Sequence, residues 1–119
     1  MKPNLALAAA LCFVLMQAEA DAHAFLVKAE PAVGSQAALP QTLRLEFNEA
    51  VELGFSGIDV TNASGGAVPL NDLRFADASR KVLIAGFPML MPGAYRVRWH
   101  VVSVDTHRTE GEFRFTVKS

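Results

Sequence analysis

Apolar and polar residues alternate with period two along much of this chain, and that pattern confines it to half-buried β-strands. In 42–49, Leu43, Leu45 and Phe47 alternate with Arg44, Glu46 and Asn48. In 94–104, Tyr95, Val97, Trp99 and Val101 alternate with Arg96, Arg98 and His100. In 112–118, Phe113, Phe115 and Val117 alternate with Glu112, Arg114 and Thr116. Successive side chains of a strand point to opposite faces, so strict alternation marks antiparallel strands with one face in a core and one in water. Weaker patterns predict further strands at 24–29, 57–61, 67–70 and 81–87. Turn residues punctuate the intervals: Glu30-Pro31, Val33-Gly34-Ser35, Asn62-Ala63-Ser64-Gly65-Gly66, Asn71-Asp72 and Met91-Pro92-Gly93. About seven short antiparallel strands in roughly 100 residues predict an all-β Greek-key sandwich or barrel, immunoglobulin-like or cupredoxin-like in outline. The paired cysteines of a true immunoglobulin domain are absent. Phe47, Trp99, Phe113 and Phe115 are the predicted core.

The first 22 residues read differently. Lys2 supplies a positive charge, 5–16 is uncharged and apolar, and Gln17 to Ala22 offers small residues at cleavage spacing. This is the layout of a secretory signal peptide. The apolar run is shorter than the ~20 residues that a membrane-spanning helix needs. Cleavage after Ala20 would leave Asp21 first. Cleavage after Ala22 would leave His23 first, and this cut is favoured. The domain is then 23–119, exported to the periplasm. Lys2 leaves with the leader, as do Glu19 and Asp21, so the 11 basic and 12 acidic residues of the whole chain become equal in number. A balanced charge gives no electrostatic reason to expect nucleic acid or an anionic surface as partner. The single cysteine, Cys12, is lost too, so no disulfide or thiolate chemistry remains. The exported chain must hold itself together by its apolar core.

Few residues can carry chemistry. There is no phosphate-binding glycine loop and no H-E-x-x-H pair. A terminal His23 would offer its α-amine and its imidazole Nδ1 to one metal ion in a six-membered chelate ring. Asp105 and His107 are two apart, and in an extended chain they would project to the same side, with Thr106 opposite. An amine, two imidazoles and a carboxylate make an N3O set that suits tetragonal Cu(II); Zn(II) prefers tetrahedral sites, and Cu(I) prefers sulfur. Glu49 ends a predicted strand and is either solvated or close to the site. His100 lies on the polar face beside Arg96 and Arg98, where cations oppose a metal. Met89-Leu90-Met91 reads as a hydrophobic plug in a Pro-flanked loop, since two thioethers are few for a Cu(I) site.

Read together, these segments resemble one known family, the periplasmic copper-resistance protein C (CopC-like) family. His23-Ala24-Phe25-Leu26 followed by Pro31-Ala32-Val33-Gly34-Ser35 is similar to the family opening H-A-x-L…P-A-x-G-S. Leu45-Glu46-Phe47-Asn48-Glu49 resembles its L-x-F-S/N-E segment, and Gly93 to Trp99 its G-x-Y-x-V-x-W strand. Ser103, Asp105, His107, Gly111, Phe115 and Val117 fall on its S-x-D-x-H-x-x-x-G-x-x-x-F-x-V signature. The resemblance spans nearly all of 23–119.

That resemblance implies a small periplasmic β-sandwich holding one Cu(II) through His23, Asp105 and His107. Glu49 falls at the family's nearby carboxylate, which can orient a ligand or the terminal amine by hydrogen bonding. It implies a monomeric carrier or buffer of copper homeostasis or resistance, not an enzyme, with a CopD-like inner-membrane copper protein as partner. Some family members carry a Met-rich Cu(I) loop. The corresponding stretch here, 62–72, contains no Met, and Met89 and Met91 do not match that loop, so Cu(II) alone is expected. Arg108 stands where the family often has Pro, and His100 where it commonly has Arg. Two other classes compete. An oxidative enzyme with a histidine-brace copper site would need open an equatorial position that Asp105 would fill. A metal-free sandwich would serve as an interaction module.

Overall fold

A computed structural model describes residues 24–119. Nine strands follow one another: β1 (Leu26–Glu30), β2 (Gln36–Ala37), β3 (Thr42–Phe47), β4 (Gly57–Asn62), β5 (Ala67–Val68), β6 (Asn71–Phe75), β7 (Val82–Gly86), β8 (Gly93–Val102) and β9 (Arg108–Val117). They form two sheets, ordered β1-β3-β7-β6 and β2-β9-β8-β4-β5. The chain crosses between sheets after β1, β2, β3, β5 and β7. The two sheets do not close on one another, so the architecture is a sandwich rather than a barrel. Among the described residues, no helix is long and apolar enough to cross a membrane.

Alternation sets the inner faces. Leu43, Leu45 and Phe47 of β3 are buried, as are Tyr95, Val97, Trp99 and Val101 of β8 and Phe113, Phe115 and Val117 of β9. The rings of Phe47 and Trp99 meet in a T-shaped pair across the two sheets, with centroids 5.2 Å apart. Tyr95 stacks on Phe115 at 5.5 Å, and its hydroxyl donates to the Met91 carbonyl at 2.7 Å. Aromatic pairs at these separations add to the gain from area burial. Gly111 has a packing reason. A Cβ there would stand 2.6 Å from Trp99 Cζ2, so the indole occupies the space that a side chain would need.

Three expectations change. The Asn71-Asp72 turn is part of β6, because Asp72 takes a left-handed φ of 57° and shifts the register between Asn71 and Arg74 instead of ending the strand. The predicted strand at 67–70 is only the two-residue β5. One pairing is parallel: two-residue β2 runs beside the end of β9, with Gln36 opposite Thr116. A pairing this short leaves no alternation to read. Seven of the described strands have five or more residues.

Candidate metal centre

Strands β8 and β9 pair along their whole length, from Gly93 opposite Val117 to Val102 opposite Arg108. The turn that joins them, 103–107, carries Asp105 and His107. Ser103 fixes its geometry. It is fully buried, bridges to Val51, and donates its backbone N–H to the His107 carbonyl at 2.9 Å. Thr106 N–H closes the turn onto the Ser103 carbonyl at 2.8 Å. Thr106 itself sits at φ 72°, in the left-handed region. The expectation of an extended Asp-x-His is therefore corrected. The two side chains meet because the chain turns, not because a strand alternates.

They do meet. His107 Nδ1 lies 3.2 Å from Asp105 Oδ2, and both side chains are about half exposed. Ser103 Oγ donates to Asp105 Oδ1. A carboxylate has about four acceptor sites, so the two contacts leave lone pairs for a further partner. An imidazole that donates through Nδ1 presents the lone pair of Nε2 outward. The Ser103 hydroxyl, and after it the His107 hydrogen bond, hold the Asp105 carboxyl below its usual range. The pair therefore offers an ionised oxygen and an imidazole nitrogen at one exposed turn.

Among the described residues, no group of three or more His, Cys, Asp or Glu converges to hold a metal ion. Asp105 and His107 are two donors, short of a full set. His23 lies outside the described residues, as does the predicted 1–22 leader. Its neighbours are well placed beside the turn. Ala24 is fully buried, and its carbonyl accepts from Thr109 Oγ1 at 2.6 Å. Thr109 is two residues beyond His107 in sequence. Phe25 N–H donates to Asn48 Oδ1 at 2.6 Å, and Asn48 N–H donates to the Phe25 carbonyl at 3.1 Å. Glu49 follows Asn48 in a half-buried bend. Beyond it, the Ala50 carbonyl accepts from Val104 N–H at 3.2 Å, one residue from Asp105. The start of the described chain, the Glu49 bend and the Asp-x-His turn thus share one end of the sandwich.

His100 is not part of that group. It stands on the outer face of β8 opposite Gly57 and Glu110, with its ring over the space that a Gly57 side chain would fill. Asp59, Glu110 and Glu112 line the same groove as Arg98 and Arg108, so carboxylates as well as cations surround it. The plug reading of Met89 and Met91 is overturned. Their exposures are 91% and 74%, whereas Leu90 between them is 5% exposed and fills the core. Both thioethers stand at the Gly93 end of β8, a ten-residue strand away from the turn, or about 30 Å. Ser103, Asn48 and Thr109 had no sequence-level role as site residues. Ser103 carries two signals, its spacing of two from Asp105 and its place at the head of the S-x-D-x-H signature.

The CopC domain family model matches residues 26–118. Protein YobA of Escherichia coli (strain K12) is 41% identical over 99 residues, covering 82% of this chain and 80% of that protein. The copper transport protein CutJ of Bacillus subtilis (strain 168) is 30% identical over 109 residues, covering 90% of this chain but 20% of that protein. Among solved structures, PcoC, a methionine-rich copper resistance protein from Escherichia coli, superposes with a TM-score of 0.74 at 33% identity, covering 82% of this chain and all of that one.

Proposed function

The chain belongs to the CopC family, and from that premise we propose that it is a periplasmic copper-binding protein of copper homeostasis or resistance. It holds one Cu(II) per chain, as a monomer, through His23, Asp105 and His107. The observation that carries this reading is the turn at 103–107, where a buried serine sets an ionised carboxylate beside an imidazole. Their donor types fit a tetragonal cupric ion. His23 supplies its α-amine and Nδ1, since Ala24 is fixed beside Thr109. Glu49 stays outside the ligand set and steadies the terminal amine by hydrogen bonding. Copper is cargo. A carboxylate from Asp105 in the ligand set would occupy a place that oxygen chemistry needs open, which supports carriage of copper over turnover of substrate. Its partner is a CopD-like copper protein of the inner membrane. CutJ supports that choice, because a copper transport protein carries a region similar to this chain as a fifth of its own length.

The test is a Cu(II) titration of the processed chain, 23–119, followed by electron paramagnetic resonance. One equivalent with a tetragonal, nitrogen-rich spectrum is expected. Several weak equivalents without a defined spectrum would sink the copper reading. A four-residue Gly-Ser extension before His23 turns the amine into an amide and weakens binding at least about 100-fold, or ~2.7 kcal/mol. A two-residue extension would not serve, because a free amine two residues before a histidine forms its own planar chelate with the intervening peptide nitrogens.

Acid releases the copper. Asp105 has a lowered pKa in the folded protein, so it stays ionised as pH falls through the ordinary carboxylate range near ~3.9 and protonates below it. The groups that lose copper first are therefore nitrogens. Protons compete with copper for the amine and the two imidazoles, so the apparent Kd should rise steadily as pH falls. A flat Kd from pH 8 down to 5, measured by competition with a pH-calibrated chelator, would remove the amine and imidazoles from the site.

A further inference from the structure

We propose that Asn48 and Thr109 are positioning residues of the copper site: they clamp Ala24 and Phe25 across the end of the sandwich and so deliver the residue before them to Asp105 and His107. The inference rests on the copper reading above. Ala24 and Phe25 precede β1 and lie outside the strand ladder, so they need other contacts to be ordered. Among the described residues, three hydrogen bonds hold them, and they come from both sheets. Thr109 belongs to β9, and its hydroxyl takes the Ala24 carbonyl at 2.6 Å. Asn48 directly follows β3, and it both accepts from and donates to the Phe25 backbone, at 2.6 and 3.1 Å.

Apolar burial does not explain this attachment. The Phe25 side chain is 55% exposed, and Ala24 contributes only a methyl group. The polar contacts hold the segment. Thr109 makes the same point from the other side. It stands on the inward-facing register of β9, followed by Gly111, Phe113, Phe115 and Val117, and opposite Val101. A core alone would be served there by valine, which has the same shape without a hydroxyl. The hydroxyl is used on Ala24. Consecutive Cα atoms are ~3.8 Å apart, so a ligand residue joined to Ala24 would be tethered to a fixed anchor. Ordering that anchor in advance would favour binding without adding a ligand.

The test uses the processed protein, with Thr109→Val, Thr109→Ser, Asn48→Ala and the Thr109→Val/Asn48→Ala pair. Three quantities are measured: Cu(II) affinity by chelator competition, hydrogen exchange of the Phe25 amide without copper, and thermal unfolding. Thr109→Val and Asn48→Ala should each weaken Cu(II) about tenfold, and the pair about a hundredfold. Thr109→Ser should restore parental affinity. Asn48→Ala should also speed exchange of the Phe25 amide, and the pair should lose the amine nitrogen from its paramagnetic resonance spectrum. If Thr109→Val fails to fold, Asn48→Ala carries the test alone. Parental affinity in the foldable variants overturns the clamp and leaves the copper reading standing. Unchanged Phe25 exchange in Asn48→Ala overturns it as well. If His107→Ala binds copper as the parent does, the copper reading itself fails and takes the clamp with it.

Discussion

His107→Ala loses Cu(II) affinity by at least about a hundredfold, or ~2.7 kcal/mol, while the fold persists. The expectation follows from the donor count. The described residues bring only Asp105 and His107 together at this turn, and the reading adds His23. Removing one imidazole from a set with a single further imidazole cannot be made good by a neighbour, because His100 lies over Gly57 on the outer face of β8. The fold is spared because the His107 side chain is about half exposed and the turn is closed by backbone. Ser103 N–H still reaches the residue 107 carbonyl, and Ser103 Oγ still holds Asp105. Asp105→Asn should be the milder change. An amide keeps an oxygen for the metal but gives up the charge that favours a dication. Chelator competition ranks the two variants. A His107→Ala protein with parental affinity and an unchanged spectrum would place the metal elsewhere and favour an interaction module.

The parts of the fold legible in the sequence were those where water and core compete for one strand. Leu43, Leu45 and Phe47 announce β3 because each polar neighbour faces out. β8 and β9 are legible for the same reason. β6 was not, since Asn-Asp usually ends a strand, and nothing local shows that Asp72 adopts a left-handed φ within one. The site divides in the same way. Asp105 and His107 are close in sequence, so their partnership was readable, though the turn that creates it was not. The contacts of Asn48 with Phe25 and Thr109 with Ala24 span 23 and 85 residues, and no local pattern encodes a hydrogen bond across such a distance. Met-Leu-Met was misread because composition does not say which of three apolar residues turns inward. Alternation does, and it selects Leu90.

Phe47→Ala destabilises the protein by about 3–5 kcal/mol, a large share of the ~5–15 kcal/mol that a domain of this size has in total. Phe47 is 1% exposed, and its ring forms a T-shaped pair with Trp99 across the sandwich. Truncation leaves a cavity between the sheets that β3 and β8 cannot close without breaking their pairings. No disulfide offsets the loss, because Cys12 is the only cysteine. Each kcal/mol moves Tm by about 4–8 °C in a domain of ~60–100 residues, so a drop of some ~15 °C or more is expected. Trp99 is the only tryptophan, so its fluorescence reports the change at the packed ring. Phe47→Leu, which keeps most of the volume, should cost no more than about 1.5 kcal/mol. A loss below ~1 kcal/mol for the alanine would mean that the two sheets are not held at this ring. Phe47 also directly precedes Asn48 and Glu49, so it is the core residue on which the metal end rests. Copper then separates stability from site geometry. A ligand that binds only the folded state adds about RT ln(1 + [L]/Kd), ~2.7 kcal/mol at a hundredfold excess over Kd. If Cu(II) raises the Tm of Phe47→Ala as much as that of the parent, the site survives the cavity. If it does not, the cavity has moved the Asn48 bend and with it the terminal segment that the bend holds.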